Sequence, residues 1–268
     1  MFDGRFFTKD CFGEWVGDVP IVRDVGIDAQ AGHGGPSKWA GGGFDVVTMM
    51  FSMHYSFEDE RKASMMLRNV AGSLKKGGRF IGVVPNSDAI AANVVKWFVE
   101  KKSAKAKDGE TVKPKEGEEA AGEDTAKVEK TPEPVEDTET APKWGNSIYR
   151  VTFPPAAPRP VPESGIFRDP PFGWKYLYWM DEAVDVPEYV VPWEAFRAVA
   201  EGYNLEQRYR KPFLDIWQEE GKEGRGEMGR LAGRMGVSGS GTAGEGLAMT
   251  EQEKEAVGFY HAFCFVKV

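Results

Sequence analysis

Residues 44–88 constrain the fold of this chain most strongly, because they read as two strands joined by one helix. Residues 44–53 are a continuous apolar run, which is typical of a parallel strand covered on both faces. Apolar side chains then recur at helical spacing between 58 and 75, and a second strand follows over 79–84. This order predicts a βαβ unit with parallel strands.

Two glycines predict where the helix of this unit ends. Gly77 and Gly78 follow Lys75 and Lys76. Glycine commonly terminates helices, and cations are stabilised near the carbonyl end of the helix dipole. We therefore expect the last helical turn to hold the two lysines.

The residues before this unit lack the other half of an open α/β sheet. Residues 1–43 contain no strand followed by a Gly-x-Gly turn and a helix, the arrangement that holds a nucleotide-like cofactor. The sequence therefore predicts an α/β fold of which this chain carries the incomplete, C-terminal half of the sheet.

The composition argues against several classes of function. The formal net charge is −8, so no global basic field attracts nucleic acid or an anionic membrane, and any RNA contact must be local. The histidines His33, His54 and His261 are scattered and no CxxC motif exists, which argues against a metal site. No arrangement typical of a catalytic triad is present either.

Changes in composition divide the chain into segments. Lys, Glu, Ala, Thr and Pro dominate 101–143 without one aromatic residue, and such a segment cannot offset its chain entropy by burial. We expect the half-sheet in 1–100, a disordered charged insertion in 101–143, a pocket-forming subdomain that returns to the sheet in 144–220, a Gly-rich loop in 221–250 and a final strand in 251–268.

Polar side chains stand where the predicted strands end. His54 and Tyr55 follow the first strand, and ligands of open α/β sheets bind outside the carboxyl ends of strands. The alternative is a histidine that satisfies a backbone carbonyl. Asn86 after Pro85 has the same location, but Pro-Asn-Ser is also ordinary turn chemistry.

Glu188 is flanked by apolar residues in DVPEYVVP, and a buried carboxylate needs a cation or a ligand rich in donors. A guanine edge offers two adjacent N–H donors, whereas a salt bridge to Arg208 or Arg210 is the alternative. Tyr260 could stack on a base or fill the core. Asp10 could accept a hydrogen bond from an adenine amino group or cap a turn.

Six sequence blocks, in this order, resemble the eukaryotic and particularly the fungal mRNA cap guanine-N7 methyltransferases. They are HYSFE at 54–58, MMLRNV at 65–70, GGRFIGVVPNS at 77–87, WGNSIYRVTF at 144–153, DVPEYVVP at 185–192 and FYHAFCFVKV at 259–268. The resemblance implies a class I S-adenosylmethionine-dependent methyltransferase fold, which is Rossmann-like, with S-adenosylmethionine as the cofactor. It also implies transfer of a methyl group to N7 of the GpppN cap guanine.

The resemblance assigns five residues to the pocket of the cap guanosine. They are His54, Tyr55, Pro85, Glu188 and Tyr260. It implies no catalytic side chain, because guanine N7 needs no proton removed and the sulfonium methyl is already activated. Alignment and desolvation then provide the catalysis.

Three further positions match the cofactor side of the family's site. Asp10 and Phe51 match positions that line the adenosyl part, and Met50 stands where the family usually has a glutamine. The glycine-rich cofactor loop of the family has no counterpart in this sequence. We therefore expect this chain alone to be incomplete and weakly active or inactive.

The family role implies the capped mRNA 5′ end as substrate and the nucleus as location. It also implies the capping guanylyltransferase and triphosphatase and the RNA polymerase II machinery as partners. It implies no association with a membrane. The alternative interpretation is a non-catalytic cap-binding or interaction module that has lost the cofactor half. A Gly-x-Gly loop encoded in frame upstream of Met1 would favour the enzyme.

Overall fold

The computed structural model describes residues 4–33, 42–109, 140–220, 227–237 and 249–268, and its strands form two four-stranded sheets. In chain order the strands are β1 (Phe44–Met50), β2 (Leu74–Pro85), β3 (Lys143–Gly145), β4 (Tyr149–Thr152), β5 (Lys175–Met180), β6 (Val184–Tyr189), β7 (Leu205–Pro212) and β8 (Tyr260–Lys267).

The α-helices in the described part are α1 (Pro20–Val25), α2 (Glu60–Ser73), α3 (Ser87–Gly109), α4 (Trp193–Glu201), α5 (Phe213–Glu220), α6 (Glu227–Arg234) and α7 (Glu251–Gly258). Short 3-10 helices cover Val16–Asp18 and Met53–Glu58. Among the described residues, no helix has the length and apolar content needed to cross a bilayer.

The first sheet has the strand order β1-β2-β8-β7. Strands β1 and β2 are parallel and α2 connects them, so the predicted βαβ unit is confirmed. Strand β8 lies antiparallel between β2 and β7, so the chain ends in an apolar strand inside the sheet.

The expectation that both faces of the first strand are covered is wrong. Strand β1 ends at Met50 and pairs only with β2 among the described residues, so it forms an edge of the sheet. The side chains of Val46 and Met50 are 46% and 49% exposed. The apolar run at 44–53 shows that these side chains are hydrophobic, but whether they are buried depends on the segments that pack against them.

The predicted end of the first helix is also wrong. Helix α2 begins after Asp59, whose side chain accepts a hydrogen bond from the Lys62 amide, and it ends at Ser73. The two lysines and two glycines belong to β2 instead. A bulge there, with Gly77 at φ +80°, absorbs the extra residues between the pairs Phe44–Leu74 and Val46–Arg79.

Three predicted irregular or extended segments contain helices. Helix α3 continues to Gly109, so the expectation of disorder from residue 101 is wrong for 101–109, whereas 110–139 lies outside the described residues. Helix α6 lies in the predicted loop 221–250, of which 221–226 and 238–248 are outside the described part. Helix α7 precedes β8 in the segment predicted as strand.

The second sheet has the order β3-β4-β5-β6 and is antiparallel throughout. Its inner face is aromatic and packs against α3 and the start of β8. Buried side chains in this layer include Tyr149, Phe153, Tyr176, Tyr178, Ile90, Val94 and Phe259. The strands of this sheet therefore present alternate residues to a closed core and to solvent.

A charged cluster lies on the face of the first sheet that carries α4. The Arg210 guanidinium stacks on the Trp193 ring at 4.8 Å and donates to Asn86 Oδ1 at 2.7 Å. Its Nε donates to His261 Nδ1 at 3.3 Å. Burial and the adjacent Arg210 cation lower the pKa of His261 to about 3, so this histidine is held neutral.

The core of the first sheet yields a stability prediction. Phe263 on β8 is 0% exposed and its ring lies 5.0 Å from Phe80 and 5.6 Å from Trp193. Phe263→Ala should lower the free energy of unfolding by about 3–5 kcal/mol, because it leaves a cavity in the sheet. Urea denaturation measures this change. Val46→Ala on the exposed edge is the control and should cost less than about 1 kcal/mol.

His261 yields a prediction on pH dependence. Its pKa is about 3 in the folded state and 6.5 in the reference state, so only the unfolded chain gains this proton as pH falls between those values. The contribution of neutral His261 to the free energy of unfolding is complete above pH 6.5 and is lost as the pH decreases toward 3. Between about pH 7 and about pH 5 the loss should be roughly 2 kcal/mol, and His261→Gln should remove it. Equal pH slopes for both proteins in urea titrations would contradict this.

Candidate functional site

A cavity of about 610 Å³ lies between the carboxyl end of β1 and the inner face of the second sheet. The first sheet and its following turn contribute Phe51, His54, Tyr55 and Tyr260, and the second sheet with its hairpin contributes Ile148, Tyr178, Met180, Val184 and Glu188. Phe213 of α5 and the segment around α7 (Met249, Glu253, Ala256 and Val257) complete the walls. The lining is mainly apolar and aromatic, as in most small-molecule sites.

Glu188 places a buried carboxylate in the lining of this cavity. Glu188 is 4% exposed, and its Oε2 accepts a hydrogen bond from the Tyr176 hydroxyl at 2.8 Å. Neither arginine of the alternative interpretation reaches it, because Arg208 pairs with Glu206 and Arg210 pairs with Asp88. Among the described residues no arginine or lysine is paired with this carboxylate, which faces the cavity beside an imidazole ring.

That imidazole belongs to His54, whose Nε2 lies 3.2 Å from Glu188 Oε1. The contact lacks hydrogen-bond geometry, and among the described residues neither ring nitrogen of His54 has a hydrogen-bond partner. The ring is packed against Tyr55 with 4.3 Å between centroids. The structure thus places an unsatisfied polar ring, rather than a carbonyl-bound histidine, beside the carboxylate.

Tyr260 closes another side of the cavity. Its hydroxyl donates to the Tyr178 hydroxyl at 2.9 Å, and its ring meets the edge of Phe51 with 5.0 Å between centroids. Burial raises the pKa of Tyr178 to about 12 and raises that of Tyr260 further. Burial and the neighbouring Glu188 also raise the pKa of Tyr176 well above its usual value. These phenols therefore remain protonated donors.

Pro85 has a different placement from the other four residues predicted for the guanosine pocket. It is buried at the end of β2 and pairs with Tyr260 in the ladder between β2 and β8. It does not belong to the lining of the cavity. Its contact with the site is therefore through the backbone position of Tyr260.

The three residues predicted on the cofactor side are not brought together. Phe51 lines the cavity, with its ring 49% exposed and its backbone at φ 56°, a strained value that turns the chain sharply after β1. Met50 points to the exposed side of the edge strand. The Asp10 carboxylate accepts hydrogen bonds from the amides of Phe12 and Gly13, which lower its pKa, so it caps a turn outside the cavity.

Sequence reasoning missed much of the lining. Tyr178 and Met180 share a face of β5 with Tyr176, and their alternation in KYLYWM was the available signal. Helix α7 gave no such signal, because its 8 residues are too few for a clear helical repeat of apolar side chains. Among the described residues, no group of three His, Cys, Asp or Glu side chains could hold a metal ion.

The arrangement suits a flat, hydrogen-bonding ring. Aromatic side chains can hold a ring plane, and the Glu188 carboxylate can accept two hydrogen bonds from adjacent N–H donors. The unpartnered nitrogens of His54 offer a further polar contact. A nucleobase with neighbouring donors on one edge fits these groups.

Comparison with known proteins gives the family. The sequence matches the model of the "mRNA (guanine-N(7))-methyltransferase domain" over residues 1–124 and 122–268. It is 60% identical to a protein of Aspergillus clavatus named "mRNA cap guanine-N(7) methyltransferase", over 100% of this chain and 45% of that protein. Proteins of the same name are 56% identical in Aspergillus fumigatus and 38% identical in Schizosaccharomyces pombe.

This chain spans about half or less of the curated relatives, covering 37% of the Aspergillus fumigatus protein and 55% of the Schizosaccharomyces pombe protein. Its mixed α/β architecture, with the parallel pair β1 and β2, is consistent with the predicted class I S-adenosylmethionine-dependent methyltransferase fold. The chain therefore belongs to the mRNA (guanine-N7) methyltransferase family.

Proposed function

We propose that this chain forms the guanine-binding part of an mRNA cap methyltransferase, which transfers a methyl group from S-adenosylmethionine to N7 of the GpppN cap guanine. The observation that carries the proposal is the buried Glu188 carboxylate, which faces an aromatic cavity and has no arginine or lysine partner in the part of the chain that the structure describes. A buried anion in this position is costly unless a ligand supplies donors.

A guanine base supplies those donors. Its N1–H and N2–H groups lie side by side, so the two oxygens of Glu188 can accept both while Tyr176 continues to hold Oε2. Methylation at N7 leaves the base cationic. An anion close to the ring therefore stabilises the developing charge as well as the orientation of the substrate.

The aromatic walls would fix the plane of the base. Tyr260 and Phe51 meet edge to face at one side, and Tyr55 lies beside His54 at the other. The nitrogens of His54 would contact a polar atom of the base. In a cavity with this lining the base is desolvated, which favours attack by a neutral nitrogen lone pair.

S-adenosylmethionine would supply an activated methyl group. Of the residues predicted to hold it, Phe51 fits, because its exposed ring borders the cavity beside Tyr260. The chemistry requires no general base, because guanine N7 carries no proton that must be removed. The contribution of this chain is to orient the base and exclude water.

The family supports the wider setting of this proposal. The substrate would be the capped 5′ end of mRNA, and the enzyme would act in the nucleus with the capping guanylyltransferase and triphosphatase and with RNA polymerase II. Within the chain, the segment 144–220 would form the cap-pocket subdomain, because Tyr178 and Glu188 both belong to it.

Glu188→Ala tests the role of the carboxylate. Because the change removes the acceptor for both donors of guanine, the affinity for GpppG should fall about 10–100-fold in a calorimetric titration. Glu188→Gln preserves the shape of the side chain but places an NH₂ donor against the donors of the base. This variant should therefore lose nearly as much affinity for GpppG.

Glu206→Ala on the exposed strand β7 is the matched control and should leave the affinity for GpppG unchanged. The proposal is wrong if Glu188→Ala and Glu188→Gln bind GpppG as tightly as the unchanged chain.

The cofactor side gives a second prediction. Because Phe51 alone among the three predicted cofactor residues lines the cavity, this chain should bind S-adenosylmethionine more weakly than GpppG. Phe51→Ala should weaken cofactor binding further, whereas Met50→Ala on the exposed edge should not. Calorimetric titration with S-adenosylmethionine measures the affinity of both variants. Tight cofactor binding that is unchanged in Phe51→Ala would contradict the expectation.

A further inference from the structure

Helix α7 forms one wall of the cavity. Glu253, Ala256 and Val257 line it from this helix, and Tyr260 follows directly on β8. The helix has only 8 residues, and helices of this length are not stable in water by themselves. The position of α7 therefore depends on its contacts with neighbouring segments of the chain.

The connection between β3 and β4 holds the opposite side of this helix. The side-chain amide of Asn146 donates to the Gln252 carbonyl oxygen at 3.1 Å and to Glu255 Oε2 at 3.0 Å. Ser147 Oγ donates to Gln252 Oε1 at 2.8 Å, and the Tyr149 hydroxyl donates to Glu255 Oε1 at 3.0 Å. We name these five residues the hairpin clamp.

Asn146 is itself held in place before it meets the helix. Its Oδ1 accepts hydrogen bonds from the backbone amides of Ile148 at 2.8 Å and Tyr149 at 3.4 Å. The backbone amide of Asn146 donates to the Tyr149 carbonyl oxygen at 2.8 Å. Gly145 makes this turn possible at φ +131°, where a Cβ would lie 2.2 Å from the Tyr149 oxygen. The Asn146 NH₂ group is thus fixed in the direction of α7.

The same connection also contributes to the cavity. Ile148, two residues after Asn146, is part of the lining, and Tyr149 packs against Phe259 at 5.8 Å between ring centroids. The hairpin clamp therefore joins two walls of one cavity through side chains that do not line it. Asn146 and Glu255 both fall outside the lining.

We propose that the hairpin clamp sets the width of the cavity and thereby its affinity for the guanine base, with Asn146 and Glu255 as positioning residues. The inference rests on the proposed function for the nature of the ligand. It assigns to the WGNSIY block a task distinct from contact with substrate or cofactor. Loosening the clamp should move α7 away and reduce contact of Ala256 and Val257 with the base.

A reciprocal exchange of donor and acceptor tests the proposal. Asn146→Asp keeps the oxygen that accepts from Ile148 but loses the donor and places a second carboxylate against Glu255. The affinity for GpppG should fall about tenfold. Glu255→Gln added to Asn146→Asp restores the contact between these two side chains with donor and acceptor reversed, whereas the hydrogen bond to the Gln252 carbonyl stays lost, so the affinity should recover in part.

Hydrogen exchange of the α7 amides should rise in Asn146→Asp and fall back in the double variant. Glu251→Gln on the same helix is the control, because its exposed carboxylate pairs with Lys254 and takes no part in the hairpin clamp, and it should change neither readout. A purely structural role would lower the melting temperature without changing the affinity for GpppG, and that result overturns the inference.

The two proposals fail in different ways. If the unchanged chain does not bind GpppG, or if Glu188→Ala binds it equally well, the proposed function fails while exchange at α7 still reports on the clamp. If Glu188→Ala loses binding but Asn146→Asp does not, the proposed function stands and the clamp is overturned. Failure of the double variant to recover affinity also overturns the clamp.

Discussion

The buried Glu188 carboxylate is the main constraint on the candidate site, because a buried anion must be satisfied by its surroundings. One oxygen accepts from Tyr176 and the other lies near His54, so the charge has partial rather than complete compensation. The remaining capacity faces an aromatic cavity. A base with two adjacent donors would complete it, which is why we propose guanine rather than a ligand with acceptors alone.

The cavity depends on both sheets at once. Strand β1 and the turn after it bring His54 from one sheet, β6 brings Glu188 from the other, and Tyr260 at the start of β8 joins Tyr178 across the gap. The hairpin clamp adds α7 as a further wall. The proposed recognition of the base therefore depends on how the two sheets are placed.

Much of the site could be predicted from short sequence blocks, because residues after a strand or between apolar neighbours have recognisable local patterns. His54, Tyr55, Glu188 and Tyr260 line the same cavity, whereas Asp10 caps a turn and Met50 is exposed. The functional roles of all these residues stay predictions. The wall formed by α7 escaped sequence reasoning because a short helix before an apolar strand has little periodic signal.

Local sequence patterns were enough to predict the βαβ unit, the apolar strand β8 and the burial of Glu188, since hydrophobic period and flanking residues act over a few positions. The insertion of β8 between β2 and β7, the edge position of β1 among the described strands and the extension of α3 to Gly109 became visible only in the folded chain. Strand order and burial arise from pairing between segments far apart in the chain, and no local pattern specifies which partners will meet.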